Sequence, residues 1–383
     1  MKIAFVITRS DAVGGAQIHV RDISTALRKA GHEAVVLAGG SGPWLEQLQE
    51  RNIPVITLRH MQRSISPINE IRALFELRRQ LRALAPDLVS THTAKAGVLG
   101  RIAAASLRLP VMFTAHGWTF TDGISRLKAT VWRTIEQMVG RLAGRIVTVS
   151  EFDRRLALQA RIAAPDRIIA IHNGMPDVGP ELIADAGSEA PKLVMVARFE
   201  EQKDHRTLLL ALATLKAKPW SLSLVGGGPL EAPMKALCAE LDLQDRVEFL
   251  GPRSDVAQLL ANAQVFVLCT LWEGLPRSII EAMRAGLPVM ATDVAGIPEL
   301  VEVGATGLLC RSQNVEDAAN KLSLLIESSQ LRAEMGQRAR QRYVEGFQFE
   351  QMLARTLQVY EQLIEKRGTS AENIGAKLGS SES

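Results

Sequence analysis

Short apolar runs that alternate with amphipathic stretches dominate this chain and leave few folds open to it. KIAFVIT, EAVVLAG, PVITL, DLVSTH, PVMFTAH and RIVTVS are separated by segments of helical periodicity near 15–30, 43–51, 67–84, 95–107 and 124–143, with another at 151–160. Runs that are apolar throughout are buried on both faces, so these strands belong in parallel sheets with helices on each side. The expected fold class is α/β with Rossmann-like, doubly wound sheets.

After RIIAIHNG the rhythm breaks at MPDVGPELIADAGSEAP, a stretch rich in proline, glycine and acid, and resumes with KLVMVAR. The strand candidates LVMVAR, SLSLVGG, VEFLG, VFVLCT, PVMATD and GLLC then repeat the plan, with helices near 204–216, 229–241, 254–261, 276–285, 297–302 and 315–326. A chain of 383 residues suits two domains. The pattern predicts a first domain over 1–175, a second over 190–346, a helix over 347–366 packing back on the first domain, and a disordered tail over 367–383. The two domains are expected to face each other across a cleft.

Composition narrows the function. A 47% hydrophobic and 22% charged chain is globular, and 4% aromatic content gives little material for stacking nucleic-acid bases. Three scattered cysteines, Cys238, Cys269 and Cys310, fit neither a zinc pattern nor a disulfide framework and suit a reducing compartment. No apolar stretch reaches the roughly 20 residues of a spanning helix, and MKIAFVIT reads as a buried strand rather than a signal peptide. The net charge of +4 is uneven: residues 1–180 carry the excess of Lys and Arg, and the remainder is net acidic. The first half is therefore expected to meet something anionic.

In doubly wound sheets ligands bind outside the carboxyl ends of the strands. Four post-strand loops carry suitable chemistry. LWEGLPRSIIEA follows VFVLCT, so the amides of Gly274 and Leu275 lie at a helix start opened by Pro276, where an anion is favoured. Glu273 and Glu281 flank that corner, and a carboxylate can accept two hydrogen bonds from adjacent hydroxyls; the alternative is solvated helix charge. In VARFEEQKDHR, Arg198 and Lys203 suit a diphosphate, or else pair with Glu200 and Glu201, and Asp204 caps the next helix. Gly226, Gly227 and Gly228 admit close backbone approach, or simply a tight turn. In the first half, Gly14 and Gly15 open a helix after strand one, and His116 ends a strand before Gly117. His19, His92 and Lys95 are weaker candidates, read as helix-surface or loop residues. Neither glycine motif is G-x-G-x-x-G, so a dinucleotide fingerprint is absent.

Taken in order, the double glycine, the AHG of residues 115–117, R-x4-K and E-G-L-P-x4-E resemble retaining GT-B glycosyltransferases of the family 4 type over residues 1 to about 366. The resemblance implies a nucleotide sugar as co-substrate, most readily a UDP-hexose or UDP-HexNAc, with no prosthetic group. It implies that Arg198 and Lys203 hold the diphosphate with the amides of Gly274 and Leu275, that Glu281 takes the ribose and Glu273 the transferred sugar. Gly227 and Gly15 would approach the donor, and His116 would lie beside the sugar. The family often has glycine where this chain has Asp204. No D-x-D occurs, so no metal is expected.

STHTAKAGVLGRIAA with PVMFTAHGWTF resembles transferases of bacterial surface polysaccharides and lipid-linked glycans. That implies a lipid-linked saccharide acceptor and a cytoplasmic, peripheral-membrane enzyme. Arg59, Arg63, Arg72, Arg78, Arg79, Arg82, Arg126 and Lys128 are the cations expected to face an anionic membrane, and no motif supports nucleic acid. The alternatives are a nucleotide-sugar 2-epimerase and a non-catalytic two-lobed binding protein.

Overall fold

The computed structural model describes the chain apart from residues 12, 63, 65, 122, 188, 189 and 380–383, with backbone alone over 368–379. Arg63 thus lies outside the described residues, as does the end of the expected tail. The chain divides into two compact units, Met1–His172 with Leu353–Ser383, and Asn173–Met352.

The first unit contains β1 (Lys2–Ile7), α1 (Gly15–Lys29), β2 (Glu33–Gly39), α2 (Pro43–Glu50), β3 (Val55–Leu58), α3 (Pro67–Leu84), β4 (Leu88–His92), α4 (Ala94–Ser106), β5 (Val111–Ala115), α5 (Arg126–Gly140), β6 (Arg145–Thr148), α6 (Glu151–Gln159) and β7 (Ile168–Ala170). Its sheet runs β3-β2-β1-β4-β5-β6-β7, every pairing parallel. Strand order turns back between β1 and β4, where Ile7 lies opposite His92. Ile3 to Ile7 are fully buried, as the continuous apolar run requires. Pro43 and Pro67 sit in the first turns of α2 and α3, where a missing N–H costs nothing.

The second unit contains β8 (Lys192–Val196), α7 (His205–Ala213), β9 (Ser221–Val225), α8 (Glu231–Glu240), β10 (Val247–Gly251), α9 (Val256–Ala261), β11 (Val265–Leu268), α10 (Arg277–Arg284), β12 (Val289–Thr292), α11 (Ile297–Leu300), β13 (Gly307–Cys310), α12 (Val315–Glu327) and α13 (Ser329–Gly346). Its parallel sheet runs β10-β9-β8-β11-β12-β13, turning back between β8 and β11. Both sheets are thus doubly wound.

The chain ends in α14 (Phe349–Gly379). From Leu353 this helix belongs to the first unit: Arg355 donates to the Ala170 carbonyl at 2.8 Å, and the Tyr360 hydroxyl donates to Ser90 Oγ at 3.1 Å. Its backbone is helical through Gly379. A helix not foreseen is α13, whose buried face of Arg332, Met335, Gly336, Ala339 and Tyr343 shows little apolar period. Arg332, fully buried, donates to the carbonyls of Ala186, Leu325 and Ile326.

Candidate active site

In the second unit the loops after β8 and β11 meet at the turning point of the sheet. The Thr270 amide donates to Thr292 Oγ1 at 3.0 Å, and that hydroxyl donates to the Thr270 carbonyl at 2.8 Å, locking the loop after β11 to the end of β12. Gln202 ties in the loop after β8. Its carbonyl accepts from the Leu271 amide at 2.8 Å, and its side-chain amide donates to the Trp272 carbonyl at 2.5 Å. The Thr270 hydroxyl is shared between the Gln202 carbonyl at 2.9 Å and Glu273 Oε1 at 3.0 Å.

This frame brings Lys203 and Glu273 together as an ion pair whose side chains are only 13% and 8% exposed. A cation and a carboxylate so withdrawn from water interact more strongly than a surface pair. The amides of Gly274 and Leu275, just ahead of α10, donate to no other described residue, and α10 has neither a side-chain cap nor an acid in its first turn. Glu281 sits in the second turn of the same helix, half-buried. Arg198 is not gathered in. Its guanidinium is exposed and pairs with Glu200 at 2.8 Å, the surface alternative weighed for it above.

Gly226 and Gly228 have φ of +140° and +154°, and a Cβ on them would stand 2.0 Å from the Ala197 carbonyl oxygen and 2.5 Å from that of Phe199. Their glycines are thus explained by packing against the loop that carries Arg198, whereas Gly227 has only the ring of Pro252 near its missing Cβ, at 3.2 Å. Asp204 caps α7 by accepting from the Thr207 amide at 3.3 Å, with φ +27°. Glycine would adopt that left-handed backbone without strain.

In the first unit, Gly15 starts α1, and Gly14 precedes it in extended backbone with no side-chain cap and no acid in the first turn. His116 follows β5 and lines a cavity of about 220 Å³ with Thr93, Gly117, Trp118 and Glu136. His19 and His92 depart from the surface and loop readings given above: both are buried, packed against His116 with ring centroids 4.9 and 5.4 Å away. His92 is the last residue of β4, so a polar residue in an apolar strand was already the signal. Its Nδ1 lies 3.1 Å from His116 Nε2, and its Nε2 lies 3.0 Å from Ser90 Oγ. Burial, and then the neighbouring His116, hold His92 well below the usual imidazole range, so it stays neutral. Lys95 is engaged elsewhere, with Glu70 at 2.5 Å.

One ligand atom from each of His19, His92 and His116 falls within 4.8 Å of the others, the one such group among the described residues. A cation there would have to displace the hydrogen bond between His92 and His116. Sequence reasoning missed Gln202, Thr270, Thr292, Ser90 and Tyr360; the threonines closing VFVLCT and PVMATD were the available hint.

A family profile described as "Glycosyl transferase 4-like domain" matches residues 14–174, and one described as "Glycosyl transferases group 1" matches residues 183–342. The chain belongs to the family 4 type of GT-B glycosyltransferases. This glycosyltransferase is 28% identical over 323 residues to the UDP-Gal:alpha-D-GlcNAc-diphosphoundecaprenol alpha-1,3-galactosyltransferase of Escherichia coli, covering 80% of this chain and 83% of that one. It is 26% identical over 388 residues to the N,N'-diacetylbacillosaminyl-diphospho-undecaprenol alpha-1,3-N-acetylgalactosaminyltransferase of Campylobacter jejuni, covering 95% and 99%. Its fold is that of Anabaena HepE solved in complex with UDP-glucose, with TM-score 0.80 and 25% identity, over 94% of this chain and 100% of that one. No described helix of this glycosyltransferase is long and apolar enough to cross a membrane.

Proposed function

We propose that this glycosyltransferase moves a hexose or N-acetylhexosamine from a UDP-sugar, with retention, to a hydroxyl of a lipid-linked saccharide in cell-surface polysaccharide synthesis. The observation that carries the reading is the Lys203–Glu273 pair, held by Gln202 and Thr270 beside the uncommitted amides of Gly274 and Leu275. The relatives that act on undecaprenol-linked sugars and the neighbour that binds UDP-glucose support it.

In this reading the second unit, residues 190–346, binds the donor and the first, 1–175, binds the acceptor. Lys203 and the two amides neutralise the diphosphate as its bond to the anomeric carbon breaks, joined by Arg198 once it exchanges Glu200 for the donor. Glu281 accepts from the ribose hydroxyls, Glu273 orients the sugar, and Gly227 lies beside the nucleotide. From the first unit the reading assigns Gly15 to the phosphate and His116 to the sugar. The acceptor oxygen bonds to the anomeric carbon on the face the diphosphate leaves, and its proton passes to a departing phosphate oxygen. Fixed cations and amides stabilise that departing charge, and loss of one such donor costs about 10²–10³ in turnover. They do so without a divalent ion, so EDTA should leave the rate unchanged, and loss of rate would overturn the metal-free assignment.

The test is a panel of nucleotide sugars offered against lipid-diphosphate saccharides, read by mass spectrometry. A product heavier by one sugar is expected; epimer formation without acceptor, or binding without turnover, would contradict it.

The enzyme is further proposed to work at the cytoplasmic leaflet. Ile68, Ile71, Arg72, Phe75 and Arg79 follow helical spacing along the exposed side of α3, while Ala73, Leu77 and Leu81 face the core. Arg59, Arg72 and Arg79 line a cavity of about 630 Å³ on that side. An exposed apolar stripe beside cations that form no ion pair with another described residue suits the surface of an anionic bilayer, at ~1 kcal/mol per cation. Phosphatidylglycerol vesicles should sediment the wild-type protein and lose it on Phe75→Ser or on joint neutralisation of Arg72 and Arg79; equal sedimentation of all three would contradict docking through α3.

A further inference from the structure

Behind His116 a chain of hydrogen bonds runs to the terminal helix. The Tyr360 hydroxyl donates to Ser90 Oγ at 3.1 Å, Ser90 Oγ lies 3.0 Å from His92 Nε2, and His92 Nδ1 lies 3.1 Å from His116 Nε2. Tyr360, Ser90 and His92 are fully buried, so no water completes their hydrogen bonding from outside.

We infer that Tyr360 is a positioning residue that, through Ser90 and His92, fixes His116 in the tautomer with its proton on Nδ1.

The direction of the chain follows from counting protons. Among the described residues the Tyr360 hydroxyl has one hydrogen-bond partner, Ser90, and Ser90 Oγ has two, Tyr360 and His92. If Ser90 donated to Tyr360, the phenol proton would be buried with no acceptor, at a cost of about 1–3 kcal/mol. Tyr360 therefore donates to Ser90, and Ser90 donates to His92 Nε2. A neutral His92 then carries its proton on Nδ1 and donates it to His116 Nε2. His116 is left accepting at Nε2 and bearing N–H at Nδ1. Burial also raises the Tyr360 phenol, so the first donor does not ionise.

The consequence for catalysis rests on the assignment of His116 to the transferred sugar. A ring locked in this form carries its proton on Nδ1 and has its Nε2 lone pair engaged by His92, so it is no general base, as suits a retaining transfer in which a phosphate oxygen takes the acceptor's proton. It also gives the return of α14 to the first unit a chemical role as well as a packing one.

The test reads the tautomer directly, by long-range proton–nitrogen NMR of the full-length protein labelled with ¹⁵N-histidine. His116 is assigned by the loss of its signals in His116→Gln. Wild type should show a protonated Nδ1 and a bare Nε2 at His116. Tyr360→Phe frees the Ser90 proton, and Ser90→Ala removes the donor to His92, so either variant should give a mixture of tautomers while remaining folded; Ser90→Ala, which also strands the buried Tyr360 proton, should lose about 1–3 kcal/mol of stability. A protonated Nε2 in wild type, or an unaltered pattern in both variants, would overturn the relay. In turnover, Tyr360→Phe should lower kcat about three- to tenfold with the donor KM unchanged. If the tautomer shifts while kcat does not, the relay stands and the assignment of His116 to the sugar fails.

Discussion

Two neighbouring residues beside Lys203 show how local backbone and burial set measurable quantities. Asp204 combines a left-handed backbone, which glycine adopts freely, with a cap on α7, which glycine cannot supply. Removing the cap while keeping a Cβ should be the worse change: Asp204→Ala is expected to cost about 1–2 kcal/mol, and Asp204→Gly only a few tenths. Urea unfolding of the two variants checks the order. His205 is buried and stacked on Phe199 at 4.2 Å, and burial followed by the Lys203 charge lowers its pKa from 6.5 to about 4. The unfolded chain therefore takes up a proton below pH 6.5 that the folded chain refuses until about 4. Stability is full above that window and falls through it as pH drops, by about 1.4 kcal/mol per pH unit for this proton. His205→Leu should flatten that limb, and an unchanged pH slope would show that His205 does not carry it.

At the scale of elements, α4 and α5 are joined by a buried ion pair. Arg101 Nη2 meets Glu136 Oε2 at 2.8 Å, Arg101 Nε donates to the Gly97 carbonyl, and the guanidinium lies 4.1 Å over the Phe113 ring. Burial pushes the Glu136 carboxyl up and the Arg101 guanidinium down, with their mutual attraction opposing both. Glu136→Ala leaves a buried cation unpaired and should cost about 3–5 kcal/mol, whereas the pair Arg101→Met with Glu136→Leu should recover most of it. A double variant as unstable as the single one would mean that packing, not charge, is responsible. This pair was invisible in the sequence, because nothing in a helical period says that one arginine turns inward. The strands and their order of appearance were legible, since continuous apolar runs admit few readings. So were the post-strand loops that carry Lys203 and Glu273. What could not be read was pairing at a distance: Lys203 with Glu273, His92 with His116, and Tyr360 with Ser90 each join residues far apart in the chain. Helix α13 was hidden for a related reason, since its buried face mixes Arg332 with Met335, Gly336, Ala339 and Tyr343 and so shows little apolar period in the sequence.

At the scale of the whole molecule, the chain builds two doubly wound units and returns its last helix to the first of them. The excess of cations in the first half falls on the unit assigned to a lipid-linked acceptor, and the second half, though net acidic, places Lys203 beside uncommitted amides at its sheet's turning point. On the roles proposed for the two units, charge is distributed by task rather than uniformly. The claim on which this division depends is that the second unit binds a nucleotide diphosphate through Lys203 and Glu281. Calorimetric titration of UDP into wild type, Lys203→Ala and Glu281→Ala tests it most directly. More than a tenfold rise in Kd, over 1.4 kcal/mol, is predicted for each variant under conditions where it is folded, with a lowered unfolding midpoint for Lys203→Ala, which leaves the nearly buried Glu273 unpaired. Wild-type affinity for UDP in both variants would contradict it.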